Sequence, residues 1–69
     1  AEEERLFQER LIHEIRRYLM LYQIPAERAA AALGVSRDEW RRLIDGQTPL
    51  TAWHLYRFAE LVGTSYDLL

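Results

Sequence analysis

The sequence predicts an all-α domain organised around a helix-turn-helix. Three observations predict it. Apolar residues recur at three- and four-residue spacing in every segment, proline and glycine divide the chain into five such segments, and a short glycine-containing turn joins the second to the third.

The first segment, about residues 2–22, places Phe7, Leu11, Ile15, Leu19 and Tyr22 on one stripe, widened by Leu6, Ile12 and Tyr18. Its opening glutamates, Glu2, Glu3 and Glu4, complement the helix dipole. Pro25 cannot continue that helix but can open the next, Ala26 to Leu33, whose run Ala29 to Ala32 favours helix and close backbone approach. Gly34 ends it. Ser36 and Glu39 form an S-x-x-E capping box for a third helix with Trp40, Leu43 and Ile44 on its inner face, stopped by Asp45-Gly46. Thr51 caps a fourth helix ending near Gly63, with Leu55, Phe58, Ala59 and Val62 inward and Trp53, Tyr56 and Glu60 on another face. Ser65 to Leu69 reads as a final short turn whose Leu68 and Leu69 close the core.

Bulk properties bound the function. Sixty-nine residues make one domain, 1–69, burying only about 60% of its unfolded surface, so the core is thin. There is no cysteine, and His13 and His54 stand apart without ligand-type neighbours, so no metal or other cofactor is expected. No stretch approaches the ~18 apolar residues of a membrane span, and the acidic start is unlike a signal peptide; no membrane association and a cytoplasmic location are expected. Glu9, Glu14 and Glu60 fall on separate turns, no serine has a histidine–acid setting, and no glycine-rich phosphate loop occurs, so the chain does not read as an enzyme.

The segment that carries function is residues 24–46, IPAERAAAALGVSRDEWRRLIDG. A helix-turn-helix needs a small residue at the helix crossing, a glycine to open the turn, an apolar residue to seal the corner and an apolar anchor in the second helix. Ala30, Gly34, Val35 and Trp40 supply them. With the following Gly46 to Ala52, Leu55 to Ala59 and Gly63 to Leu69, the chain resembles the Cro/repressor (xenobiotic-response-element) family over about residues 11–69.

The resemblance implies a five-helix lambda-repressor-like domain, here with an extended first helix, acting as a bacterial or phage-encoded transcriptional regulator of repressor type. It implies sequence-specific binding to double-stranded DNA as a homodimer. The recognition helix, 36–44, enters the major groove. Arg37, Asp38 and Arg42 take base-reading positions; Ser36, Arg41 and the loop Gly46, Gln47 and Thr48 take backbone-contacting ones; Tyr66 lies where members pair. Arginine can bind guanine O6 and N7 bidentately and aspartate can accept from the cytosine amino group.

The sequence departs from that family at three points. Ala26 stands where a phosphate-binding glutamine is common. Leu19 and Ile44 stand where many members bury an arginine–glutamate pair, and they are expected to pack on each other. The charge is also unusual. All nine basic residues are arginine, yet the four in the motif are cancelled by Glu27, Asp38, Glu39 and Asp45. Residues 1–14 hold five glutamates against two arginines, net −3; the rest hold seven arginines against six acids, net +1. A binding face free of the acidic turns needs them to point away from DNA.

Blander readings stand beside these. Arg41 and Arg42 can be solvated surface, paired with Asp38 and Glu39. Trp40 is core. Trp53 and Tyr56 are either an interface, for a protein partner or a second copy, or are covered by the first helix. The segment before Leu11 can pack on its own domain or on another copy. A rival function follows from the same features: a helix-turn-helix scaffold turned protein-interaction or oligomerisation module.

Overall fold

Three helix ends in this chain are written by one backbone device. In the computed structural model, which describes residues 1–67 and side chains through residue 64, α1 spans Glu2–Leu21, α2 Ala26–Leu33, α3 Arg37–Ile44 and α4 Ala52–Asp67. α1 ends with Ile24 N–H donating to Leu19 O at 2.8 Å and Gln23 N–H to Met20 O at 3.3 Å. α2 repeats the pattern with Val35 to Ala30 and Gly34 to Ala31, and α3 with Gln47 to Arg42 and Gly46 to Leu43. These are Schellman ends, which require a left-handed residue after the cap. Gly34 and Gly46 take it at φ 73° and 80°, as the sequence suggests, but in the first helix Gln23 takes it at φ 53°.

Four helices, not five, are present among the described residues, with no strand. The expected break at Gly63 does not occur, because Gly63 does not adopt a left-handed φ and α4 runs on to Asp67. A mid-helix glycine costs about 1 kcal/mol relative to alanine, too little by itself to end a helix whose preceding turn is packed through Phe58 and Leu61. The expected contributions of Leu68 and Leu69 lie outside the described residues, as does the side chain of Tyr66.

Two helix starts, those of α3 and α4, are made by side chains, whereas α1 and α2 begin without a side-chain cap. Ser36 Oγ accepts from Glu39 N–H at 3.1 Å, but Glu39 turns its carboxylate to Arg42, so the expected capping box is only half formed. Thr51 caps α4 through His54 N–H at 3.3 Å, and His54 Nδ1 accepts from Thr51 N–H at 3.0 Å. A reciprocal box is thus completed by an imidazole in the role usually taken by glutamate.

The core gathers Ile15, Ile24, Ala29, Ala30, Leu33, Trp40, Leu43, Leu50, Phe58 and Leu61. Ala29 and Ala30 let α2 lie close to α4, its main packing partner, and Leu43 is wholly enclosed. Leu19 and Ile44 both lie half-buried against this cluster. Two expectations are corrected. In α4 the buried stripe includes Leu61 and leaves Ala59 exposed, and in α1 Leu6 and Phe7 are exposed rather than packed.

Arginines tie the helices together at their carbonyl ends. Arg16 on α1 donates to Ile44 O at 3.2 Å, at the end of α3, and Arg57 on α4 donates to Ala32 O at 2.9 Å, at the end of α2. Each meets the negative pole of a helix dipole. The first turns of α1 are held by Gln8, whose Nε2 donates to Leu50 O at 3.2 Å while its Oε1 accepts from Leu50 N–H at 2.8 Å.

Candidate nucleic-acid interface

α3 buries Trp40 and Leu43, so helical geometry turns Asp38 and Arg42 to the opposite side, with Arg37 and Arg41 on one flank. All four are exposed, as are Ser36, Gly46 and Gln47, while Thr48 is half-buried. The residues expected to read bases and those expected to touch the backbone are therefore displayed on the outward sides of α3 and on the loop after it.

Their electrostatics are mixed. Arg37 pairs with Glu27 across the turn at 2.7 Å, and Arg42 pairs with Glu39 one helical turn away at 2.7 Å. Both carboxylates are on the protein, so each arginine must give one up to meet an anion. The Arg37–Glu27 side chains are about three-quarters exposed, at 75% and 78%, and pairs so solvated contribute about 1 kcal/mol at most. Asp38 and Arg41 have no ion pair among the described residues, so of the two pairings expected of this helix only Arg42–Glu39 forms.

The arginine flank borders an open groove of about 750 Å³, lined by Arg16, Arg37 and Arg41, by the acids Glu27 and Asp45, by Pro25 and Ala26 at the start of α2, and by Trp40 and Ile44. Two features here were not readable from the sequence. Arg16 belongs to the face although it lies 21 residues before Arg37. Ala26, which lacks a phosphate-binding side chain, sits at the helix start beside three arginines.

One acid of the first turn of α1, Glu4, does not point away. Glu4, Arg5 and Gln8 line a depression with Gly46, Thr48 and Pro49, so acid lies beside the loop expected to meet the phosphate backbone. Arg5 partly offsets it, but its guanidinium is engaged by Glu2 and Glu9; the hydrogen bond to Glu2, then the charge of Glu9, hold its pKa above the ordinary arginine value.

Away from α3, the two open readings of Trp53 and Tyr56 separate. Neither is covered by α1: they remain 60% and 57% exposed, with ring centroids 5.9 Å apart. Among the described residues no group of three histidines, cysteines or acids is gathered as a metal would need, and no helix is long and apolar enough to cross a membrane. No family model matches the chain, and neither a curated protein nor a solved structure does.

Proposed function

We propose that this domain binds double-stranded DNA sequence-specifically as a transcriptional regulator of repressor type, in the bacterial cytoplasm, with α3 in the major groove and two copies on adjacent half-sites. One observation carries the reading: Arg37, Asp38 and Arg42 are exposed on α3, opposite or beside its buried Trp40 and Leu43, and next to a groove bordered by Arg16 and Arg41. A helix so presented matches the width of the major groove, and its side chains are of the types that discriminate guanine and cytosine edges.

The test is selection of bound duplexes from a random pool, followed by Arg42→Ala and Arg37→Ala on the selected site. Loss of a bidentate base contact costs about 1–3 kcal/mol and relaxes preference at that base. Arg41→Ala, by contrast, should weaken all duplexes alike and lower the salt slope by about one. No duplex affinity at 50 mM salt overturns the proposal.

The second reading, a helix-turn-helix scaffold serving protein interaction, is favoured by the exposed Trp53 and Tyr56 and by the acids beside Arg37 and Arg42. It predicts no salt-dependent affinity for DNA at all.

A further inference from the structure

α4 has two apolar faces, and among the described residues only one is packed by the fold. Phe58 and Leu61 are buried, with Leu55 and Val62 half-buried beside them, whereas Ala52, Trp53, Tyr56, Ala59, Gly63 and Thr64 are all exposed. Ala52, Tyr56, Ala59 and Gly63 follow one another at steps of four, three and four, which is the spacing of a helix–helix seam. We infer that this outer face of α4 is the site at which two copies of the chain pair, antiparallel about a two-fold axis near residue 58.

Shape selects that arrangement. The rings of Trp53 and Tyr56 pack on one another at the amino end of the face, with the Arg57 guanidinium 5.7 Å from the Trp53 centroid, so they form a ready platform. The small residues Ala59 and Gly63 lie at the other end. Antiparallel pairing sets each platform over the small end of the other copy, Trp53 opposite Gly63 and Tyr56 opposite Glu60. Parallel pairing sets ring against ring, leaves a void between the small ends, and brings Arg57 beside Arg57 and Glu60 beside Glu60.

Charge agrees with shape. Among the described residues the one ion pair on this face is Arg57–Glu60 at 3.0 Å, and a two-fold axis beside it lets each arginine reach Glu60 of the second copy. The face therefore complements itself and needs no partner of another kind.

Gly63 gives a second, independent reason. It takes no left-handed φ, and a β-carbon built on it meets nothing within 4 Å. Among the described residues nothing requires glycine there, although alanine favours the helix more. Close approach of another surface does require it.

The area is modest. The exposed parts of four rings amount to roughly 500 Å², and they cover a similar area opposite. A total near 1,000 Å² sits at the low end for specific pairing, so the dimer is weak in solution and is reinforced when two half-sites hold the copies together. The inference supplies the surface for the dimeric DNA reading, but pairing is measured without DNA, so either can fail alone.

The experiment is sedimentation equilibrium of the full chain from 10 μM to about 1 mM at ~0.15 M salt, where surface charges are screened within about 8 Å. A concentration-dependent dimer is expected. Tyr56→Ala and Trp53→Ala should raise its dissociation constant at least tenfold, as for aromatic hot spots. Gly63→Ala should raise the melting temperature of the dilute monomer by about 4 °C while weakening pairing severalfold, a divergence that a purely structural glycine does not produce. Phe7→Ala should leave pairing unchanged. Since the chain has no cysteine, mixing Ala52→Cys with Thr64→Cys reports orientation: the mixed disulfide should outrun both symmetric ones. A monomer throughout, a dimer indifferent to Tyr56→Ala and Gly63→Ala, or dominant symmetric disulfides overturns the inference.

Discussion

Gln8 spends both ends of its amide on the backbone of a single residue, Leu50, 42 positions away. Leu50 is buried, so its N–H and C=O have little access to water and an unmade bond there costs about 1–3 kcal/mol. Gln8→Ala is expected to destabilise the domain by that amount and to speed hydrogen exchange at the amides of residues 5–8, which NMR can follow individually. Gln8→Glu keeps the acceptor but loses the donor, and should fall between. This clasp was not legible beforehand, because a glutamine on a helix stripe looks like surface until the loop it meets is in place. Gln23 is a similar case. Sequence marks left-handed corners by glycine, and Gly34 and Gly46 obey, but a glutamine in that conformation gives no signal. His54 gave none either, since an imidazole is an unusual partner for Thr51 at a helix start.

Among the elements, α2 and α3 are fixed by packing and by one exposed link, Arg37–Glu27. The link is too solvated to hold the helices, so its main effect is to occupy an arginine that faces the groove. Glu27→Gln is therefore expected to leave the melting temperature nearly unchanged and to raise affinity for duplex DNA a few-fold, read by fluorescence anisotropy at low salt. An unchanged affinity means that Arg37 does not meet DNA. The ends of the first three helices were readable to within a residue or two because proline, glycine and serine mark them by local chemistry. The end of α4 was not, since Gly63 is ambiguous: a glycine permits a left-handed turn without compelling one, and neighbouring Leu61 and Val62 keep the helix going. Similarly, the outward display of Arg37, Asp38 and Arg42 follows from the inward display of Trp40 and Leu43, whereas the presence of Arg16 on the same face depends on how α1 crosses α3.

At the level of the whole molecule, charge was legible in amount but not in place. Glu4, in the acidic first turn, shares a depression with the loop after α3, so negative charge lies beside the proposed backbone contacts. Replacing Glu2, Glu3 and Glu4 together by glutamine is expected to strengthen duplex binding at 50 mM salt and to make little difference at 1 M, where charges are screened within about 3 Å. A gain that persists at high salt has another cause. The domain is 39 Å in its longest dimension, and α1, with 20 residues, is about 30 Å of that. Along this length it meets the loop through Gln8 and Ile12, the end of α3 through Arg16, and α4 through the edge of Tyr18 on Phe58. α1 is thus a spine rather than an appendage to a reading head. The helix-turn-helix at residues 24–46 is consequently not a cassette that can be lifted out: excised, it loses Ile15, Leu50, Phe58 and Leu61, which share one core with Trp40 and Leu43.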